Sequence, residues 1–61
     1  MSQFVITKDK KGEFRWAFKA DNGETIADSA EGYKEKRDCT HGIEVLKQEI
    51  AGAKIQDETA A

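Results

Sequence analysis

The chain has 61 residues with one cysteine, one histidine and no proline, and its formal net charge is −2. At this length a single core rarely contributes more than about 3–5 kcal/mol, and the usual supplements are disulfides, a metal or oligomerisation. One cysteine excludes an internal disulfide and the multi-cysteine zinc patterns, so a dimer is the expected route to stability.

The near-neutral total hides an asymmetry. Residues 1–20 carry Lys8, Lys10, Lys11, Arg15 and Lys19 against Asp9 and Glu13, whereas residues 21–61 carry five cations against ten carboxylates. That excludes a uniformly basic coat for nucleic acid and leaves a local basic edge on the first hairpin. The first apolar patch, Phe4-Val5-Ile6, is far shorter than a secretory apolar region of about 7–15 residues or a spanning helix of about 20. No membrane segment is expected. Single-cysteine usage fits a reducing compartment, and the chain is read as cytoplasmic.

One domain is expected over residues 1–61, ordered over about 3–56, with 57–61 as a flexible tail. Phe4 to Lys8 is a β-branched and aromatic run, hence a first strand. Asp9-Lys10-Lys11-Gly12 follows as a turn. A three-residue loop, Lys10-Lys11-Gly12 with Gly12 left-handed, sets Asp9 opposite Glu13, Ile6 opposite Trp16 and Phe4 opposite Phe18. A four-residue loop would move Phe14, Trp16 and Phe18 to the other face, because a one-residue slip flips every side chain. The apolar pattern therefore selects the three-residue loop with its glycine bulge.

Phe14 to Lys19 is the second strand, and Asn22-Gly23 is the strongest short-range hairpin signal in the chain. A two-residue turn there pairs Asp21 with Glu24, Lys19 with Ile26, Phe18 with Ala27 and Trp16 with Ser29. The third strand then spans Glu24 to Ser29. One face carries Phe4, Ile6, Phe14, Trp16 and Phe18, with small Ala27 and Ser29 beside the rings. The other carries Val5, Thr7, Arg15, Ala17, Lys19 and Ile26, with Arg15 and Lys19 in diagonal reach of Glu24 and Asp28.

Residues 28–32 leave the sheet as a polar loop. A helix is predicted from about Lys34 to about Ala51, because Cys39, Ile43, Leu46 and Ile50 form one apolar stripe. Gly42 lies beside that stripe, where a bulky ring such as Trp16 would approach. Gly52 ends the helix. Ala53-Lys54-Ile55-Gln56 has strand alternation, but Gly52-Ala53 is too tight a connection to return it easily to its own sheet. Pairing with a second copy would bury Ile55 and close an exposed edge.

The string Trp16-x-Phe18-Lys19-Ala20-x-Asn22-Gly23-Glu24-x-Ile26-Ala27-x-Ser29, then Glu31-Gly32-Tyr33-x-x-Lys36, then Gly42-Ile43-x-x-Leu46-Lys47, resembles the YegP-like domain family of unknown function. The resemblance runs from Phe4 to about Asp57. It implies a β-β-β-α-β unit whose copies, from two chains or two tandem repeats, assemble with exchanged C-terminal strands. One repeat in this chain implies a homodimer. Lys34 stands where family members often carry Ser or Thr, so the helix lacks the expected short polar cap. The family brings no biochemical activity and hence no catalytic or binding residue to any position here.

The residues capable of chemistry read as structural. Cys39 on the apolar stripe is a small buried hydrophobe; a reactive thiol needs a cationic, partly open site, and Arg37 and His41 point elsewhere on the helix. His41 falls nearly opposite the stripe and has no partner at ligand spacing. Tyr33 packs where the helix meets the sheet, and Glu31, Glu35, Asp38 and Glu44 form a solvated surface. No catalytic residue, metal ligand or cofactor is assigned.

The expected architecture is an α+β homodimer: an antiparallel three-stranded meander packed on one helix, with exchanged C-terminal strands. The expected role is a non-enzymatic interaction or structural module with a protein partner, meeting it through Val5, Arg15, Ala17, Lys19 and Ile26. Two alternatives stand beside it. One is weak single-stranded nucleic-acid binding through the basic first hairpin, disfavoured because alternation puts rings and cations on opposite faces. The other is a small-ligand site at the dimer seam.

Overall fold

A computed structural model describes residues 1–59 of the chain, and Ala60 and Ala61 lie outside the described residues. Three strands, β1 (Gln3–Lys8), β2 (Phe14–Lys19) and β3 (Thr25–Asp28), precede one helix, α1 (Lys36–Ile50). The strands form an antiparallel meander in the order β1-β2-β3. The molecule is therefore an α+β fold.

The first hairpin has the register selected by the apolar pattern: Phe4 opposes Phe18 and Ile6 opposes Trp16. Its loop is closed by the Asp9 N–H donating to the Glu13 carbonyl (2.8 Å) and the Gly12 N–H donating to the Asp9 carbonyl (3.0 Å). Gly12 has φ +82°, a left-handed conformation that costs glycine no Cβ clash.

The second hairpin departs from the expected two-residue turn. Its loop is the same device as the first. The Ala20 N–H donates to the Glu24 carbonyl (2.8 Å) and the Gly23 N–H to the Ala20 carbonyl (2.9 Å). Asp21, Asn22 and Gly23 thus form a three-residue loop, with Ala20 rather than Asp21 facing Glu24. Gly23 alone takes a left-handed φ, +88°, and no non-glycine residue has positive φ. Asn22 contributes through its side chain, whose Oδ1 accepts the Glu24 N–H at 3.0 Å. This arrangement avoids the strain of placing a second residue left-handed.

The extra loop residue shifts the register, so Lys19 opposes Thr25 instead of Ile26. A bulge at Ile26 shifts it back, and Phe18 opposes Ala27 and Ala17 opposes Asp28. Two one-residue irregularities cancel, and the small residues still arrive beside the rings. Ser29 is buried; its N–H donates to the Trp16 carbonyl (2.9 Å), and its Oγ accepts the Trp16 N–H (3.2 Å).

Beyond a short loop, Tyr33 rejoins the same edge of β2. Its N–H donates to the Phe14 carbonyl (2.8 Å), and the Phe14 N–H returns a bond to the Tyr33 carbonyl (2.7 Å). This tether holds the chain extended through Glu35, which has φ −110° and ψ 133°, and explains why the helix starts at Lys36 rather than Lys34. No side chain caps that start, where the N-cap position falls on Glu35 rather than on Lys34.

The helix packs chiefly on β2. Cys39, fully buried, and Ile43, 7% exposed, are the buried apolar residues among those described. Gly42 faces Tyr33, not Trp16: a β-carbon at Gly42 would stand 3.0 Å from the Tyr33 hydroxyl. Across the sheet, the Phe4 ring lies edge-on to Trp16 (centroids 5.5 Å apart, 75°) and tilted against Phe18 (4.8 Å, 40°). Such aromatic contacts add about 0.5–1.5 kcal/mol each beyond area burial.

The expected fourth strand is absent among the described residues. Residues 53–59 form no regular element, and the unit in one chain is β-β-β-α. A strand needs a ladder to join, and residues 53–56 pair with no strand of their own chain. Of the tail expected at 57–61, residues 57–59 turn back on Asp57, whose Oδ1 accepts the Thr59 N–H (2.9 Å), and the rest lies outside the described residues.

Candidate functional site

Three surfaces are candidates for function. The first is an open groove of about 330 Å³ lined by Phe4, Phe18, Lys47 and Ile50. Phe4 and Phe18 are cross-strand partners on the aromatic face. Lys47 and Ile50, three residues apart, share one face of the last helical turns. The groove is open because α1 covers β2 and leaves the β1 side of the face unroofed. Ile50 is accordingly 57% exposed despite its place on the apolar stripe. The sequence marked Phe4, Phe18 and Ile50 as apolar-face residues but did not show that the helix fails to cover them. The spacing of Lys47 to Ile50 is the one available signal, since it sets a cation at the rim of the apolar stripe.

The second surface is the sheet face expected to meet a partner. Val5 and Ala17 are direct cross-strand partners, and Thr7 opposes Arg15. Val5, Arg15, Ala17 and Lys19 are half-buried, and Thr7 is exposed. Ile26, the bulged residue, is 61% exposed. The cations are engaged differently from the expected diagonal pairs. Arg15 Nε donates to Asp9 Oδ2 at 2.8 Å, and Lys19 Nζ donates to Thr25 Oγ1 at 2.8 Å.

The third surface is the first hairpin. Asp9 organises it: Oδ1 accepts the N–H groups of Lys11 and Glu13, both at 2.9 Å, while Oδ2 holds Arg15. The hydrogen bond from Arg15, with those from the backbone, holds the Asp9 carboxyl below its ordinary value, since each favours the charged form. Lys10 and Lys11 are exposed at the tip. Lys8 Nζ lies 5.0 Å from the Phe14 ring centroid, a cation–π distance.

The isolated reactive groups do not converge. Cys39 is sealed in the core, and burial pushes its thiol up from the ordinary value, which disfavours the thiolate. His41 is exposed, and Tyr33 packs its ring against the helix at Gly42. Among the described residues no three His, Cys, Asp or Glu side chains gather as a metal site. No helix there is long and apolar enough to cross a membrane.

Residues 9–57 match the family described as Domain of unknown function (DUF1508). The chain belongs to this family. Its relatives agree across nearly the whole length. A UPF0339 protein of Agrobacterium fabrum is 51% identical over 59 residues, covering 97% of this chain and 94% of that one. The solution NMR structure of a protein from Haloferax volcanii superposes with a TM-score of 0.84 at 34% identity, covering 92% of this chain and 93% of that one. The meander-and-helix unit is therefore shared with that solved protein. A UPF0339 protein of Stutzerimonas stutzeri is 51% identical over 45 residues, which are 74% of this chain but only 40% of that one, so that relative is about 110 residues long. The YegP-like resemblance carried by the Asn22-Gly23 hairpin and the Gly42-Ile43-x-x-Leu46 stripe thus stands as membership of a family without an assigned activity.

Proposed function

We propose that this protein is a non-enzymatic interaction module that works as a homodimer with exchanged C-terminal strands. The observation that carries the proposal is the incomplete core of the single chain. Among the described residues only Cys39 and Ile43 are buried apolar side chains, while Phe4, Ile6, Phe14, Trp16, Phe18 and Leu46 are half-buried. Ile55 is 97% exposed. A family fold with so little covered apolar surface needs a partner to cover the rest.

Shape supports the same reading. The Cα radius of gyration is 13.6 Å, against about 10.5 Å expected for a compact domain of this length. Both outer strands, β1 and β3, have free edges, and free edges are sites of strand addition. The Stutzerimonas stutzeri relative, at about 110 residues, has length for two such units in one chain.

In the dimer, the Val5, Arg15, Ala17, Lys19 and Ile26 face is the surface offered to a further protein partner. Sedimentation equilibrium tests the self-association. A dimer is expected at tens of micromolar, and a folded monomer at that concentration refutes the proposal. Capture from lysate with an Ile26→Asp variant as control then tests the partner face, with loss of a bound protein as the expected result.

A further inference from the structure

We infer that Asn22 is the chain's site of spontaneous deamidation, and that the second hairpin loop holds the reaction off until it opens. The inference concerns one chain alone and is independent of self-association.

Asn22 is the single asparagine, and glycine follows it. Asparagine is among the thermolabile side chains, and the glycine removes the Cβ that would crowd the attacking nitrogen. The Gly23 nitrogen, having given its proton to solvent base, attacks Asn22 Cγ. The Cγ–Nδ2 bond breaks, and ammonia leaves. The succinimide so formed takes up one water. Opening at Cγ gives aspartate, and opening at the main-chain carbonyl gives isoaspartate, whose backbone is one methylene longer. Water is the only co-reactant.

Solvent access does not protect this amide. Asn22 is exposed, and a β-carbon on Gly23 would meet nothing within 4 Å. The backbone protects it instead. The Gly23 N–H donates to the Ala20 carbonyl (2.9 Å), so the attacking nitrogen keeps its proton in a hydrogen bond. That bond closes a four-residue turn, and with no positive φ at Asp21 or Asn22 the turn is type I, with ψ of about 0° at Asn22. At that angle the Gly23 nitrogen eclipses the Asn22 nitrogen. The imide ring needs it to eclipse Cβ, about a third of a turn around the Cα–C bond from the type I geometry. On the other side of the reacting pair, Asn22 Oδ1 accepts the Glu24 N–H (3.0 Å), which holds the amide toward residue 24.

Ring closure therefore breaks two hydrogen bonds. Each shifts a population about fivefold, so the closed loop is expected to slow the reaction roughly thirtyfold against an unfolded chain. The products differ in what they can rebuild. Aspartate keeps a side-chain oxygen for the Glu24 N–H. Isoaspartate lengthens a loop whose residue count is matched to the register shift beyond Lys19.

Timed incubation of the parent chain at mildly alkaline pH, folded and in unfolding urea, tests the inference, with peptide mass spectrometry reading aspartate and isoaspartate at position 22. Expected is conversion in both samples, about thirtyfold slower in the folded one. No conversion in urea overturns the site. Equal rates overturn the protection, and so does faster conversion in the folded chain, which would make the Glu24 N–H a donor to the developing oxyanion. Asp21→Gly loosens the loop without touching the Asn22-Gly23 pair. It is expected to speed conversion in the folded chain about threefold and to leave the rate in urea unchanged. An unchanged folded rate in that variant overturns loop opening as the controlling step, and the parent-chain comparison decides the matter if the variant does not fold.

Discussion

Ile43 and Ile50 lie on the same helical stripe, yet the structure assigns them to different jobs, and truncating each to alanine separates the two. Ile43 is 7% exposed and sits beside fully buried Cys39. Ile→Ala at such a site costs about 2–5 kcal/mol, comparable to the roughly 3–5 kcal/mol that one core supplies at this size. Ile43→Ala is therefore expected to abolish cooperative folding at 25 °C. Ile50 is 57% exposed and lines the groove. Within one chain less than half of its surface is out of water, so Ile50→Ala is expected to cost about 1 kcal/mol or less of chain stability. Its remaining effect falls on association. Binding to the folded state alone stabilises by mass action, so the deficit of Ile50→Ala should grow as protein concentration rises through the dimer dissociation constant. Urea unfolding by circular dichroism at two concentrations a hundredfold apart reads both terms. The reasoning fails if Ile50→Ala is as destabilising as Ile43→Ala in the dilute sample, or if its deficit is the same at both concentrations.

The remaining predictions concern the elements that hold the groove in place. Gly23→Ala is expected to cost about 1–2 kcal/mol from its left-handed backbone, whereas Asn22→Ala should cost only about 0.5–1 kcal/mol for the lost Glu24 hydrogen bond; equal, large losses would indicate a turn with both residues left-handed. Ser29→Ala removes the acceptor of the Trp16 N–H and should cost about 1–3 kcal/mol, visible as a lower urea midpoint, while an unchanged midpoint would show that this N–H finds another partner. Asp9 has a folded-state carboxyl value below its ordinary 3.8. Its contribution is present above that ordinary value and is lost as pH falls through the folded value. Asp9→Asn should therefore weaken the protein at neutral pH and flatten its acid unfolding curve; an acid limb identical to that of the parent chain would remove Asp9 from that role.

Sequence alone determined the local geometry of the first hairpin and the identity of the aromatic face. Only one loop length keeps Phe4, Ile6, Trp16 and Phe18 together, and Gly12 marks where the left-handed residue must lie. The helix stripe was legible for the same reason, since period 3.6 leaves Cys39 and Ile43 one choice of face. At Asn22-Gly23 the sequence marked a turn but not its length. The dipeptide suits a two-residue turn as well as a three-residue loop, and the choice rested on a compensating bulge at Ile26 with no residue signature of its own. The helix start depended on tertiary structure too, because the Tyr33 tether to Phe14 joins residues 19 positions apart. The same is true of the groove. Whether an apolar face is covered depends on where the helix axis crosses the sheet, and residues along one element do not encode that offset. Phe4, Phe18 and Ile50 could be assigned to an apolar face from their spacing, but only the packed chain revealed that this face is left half open.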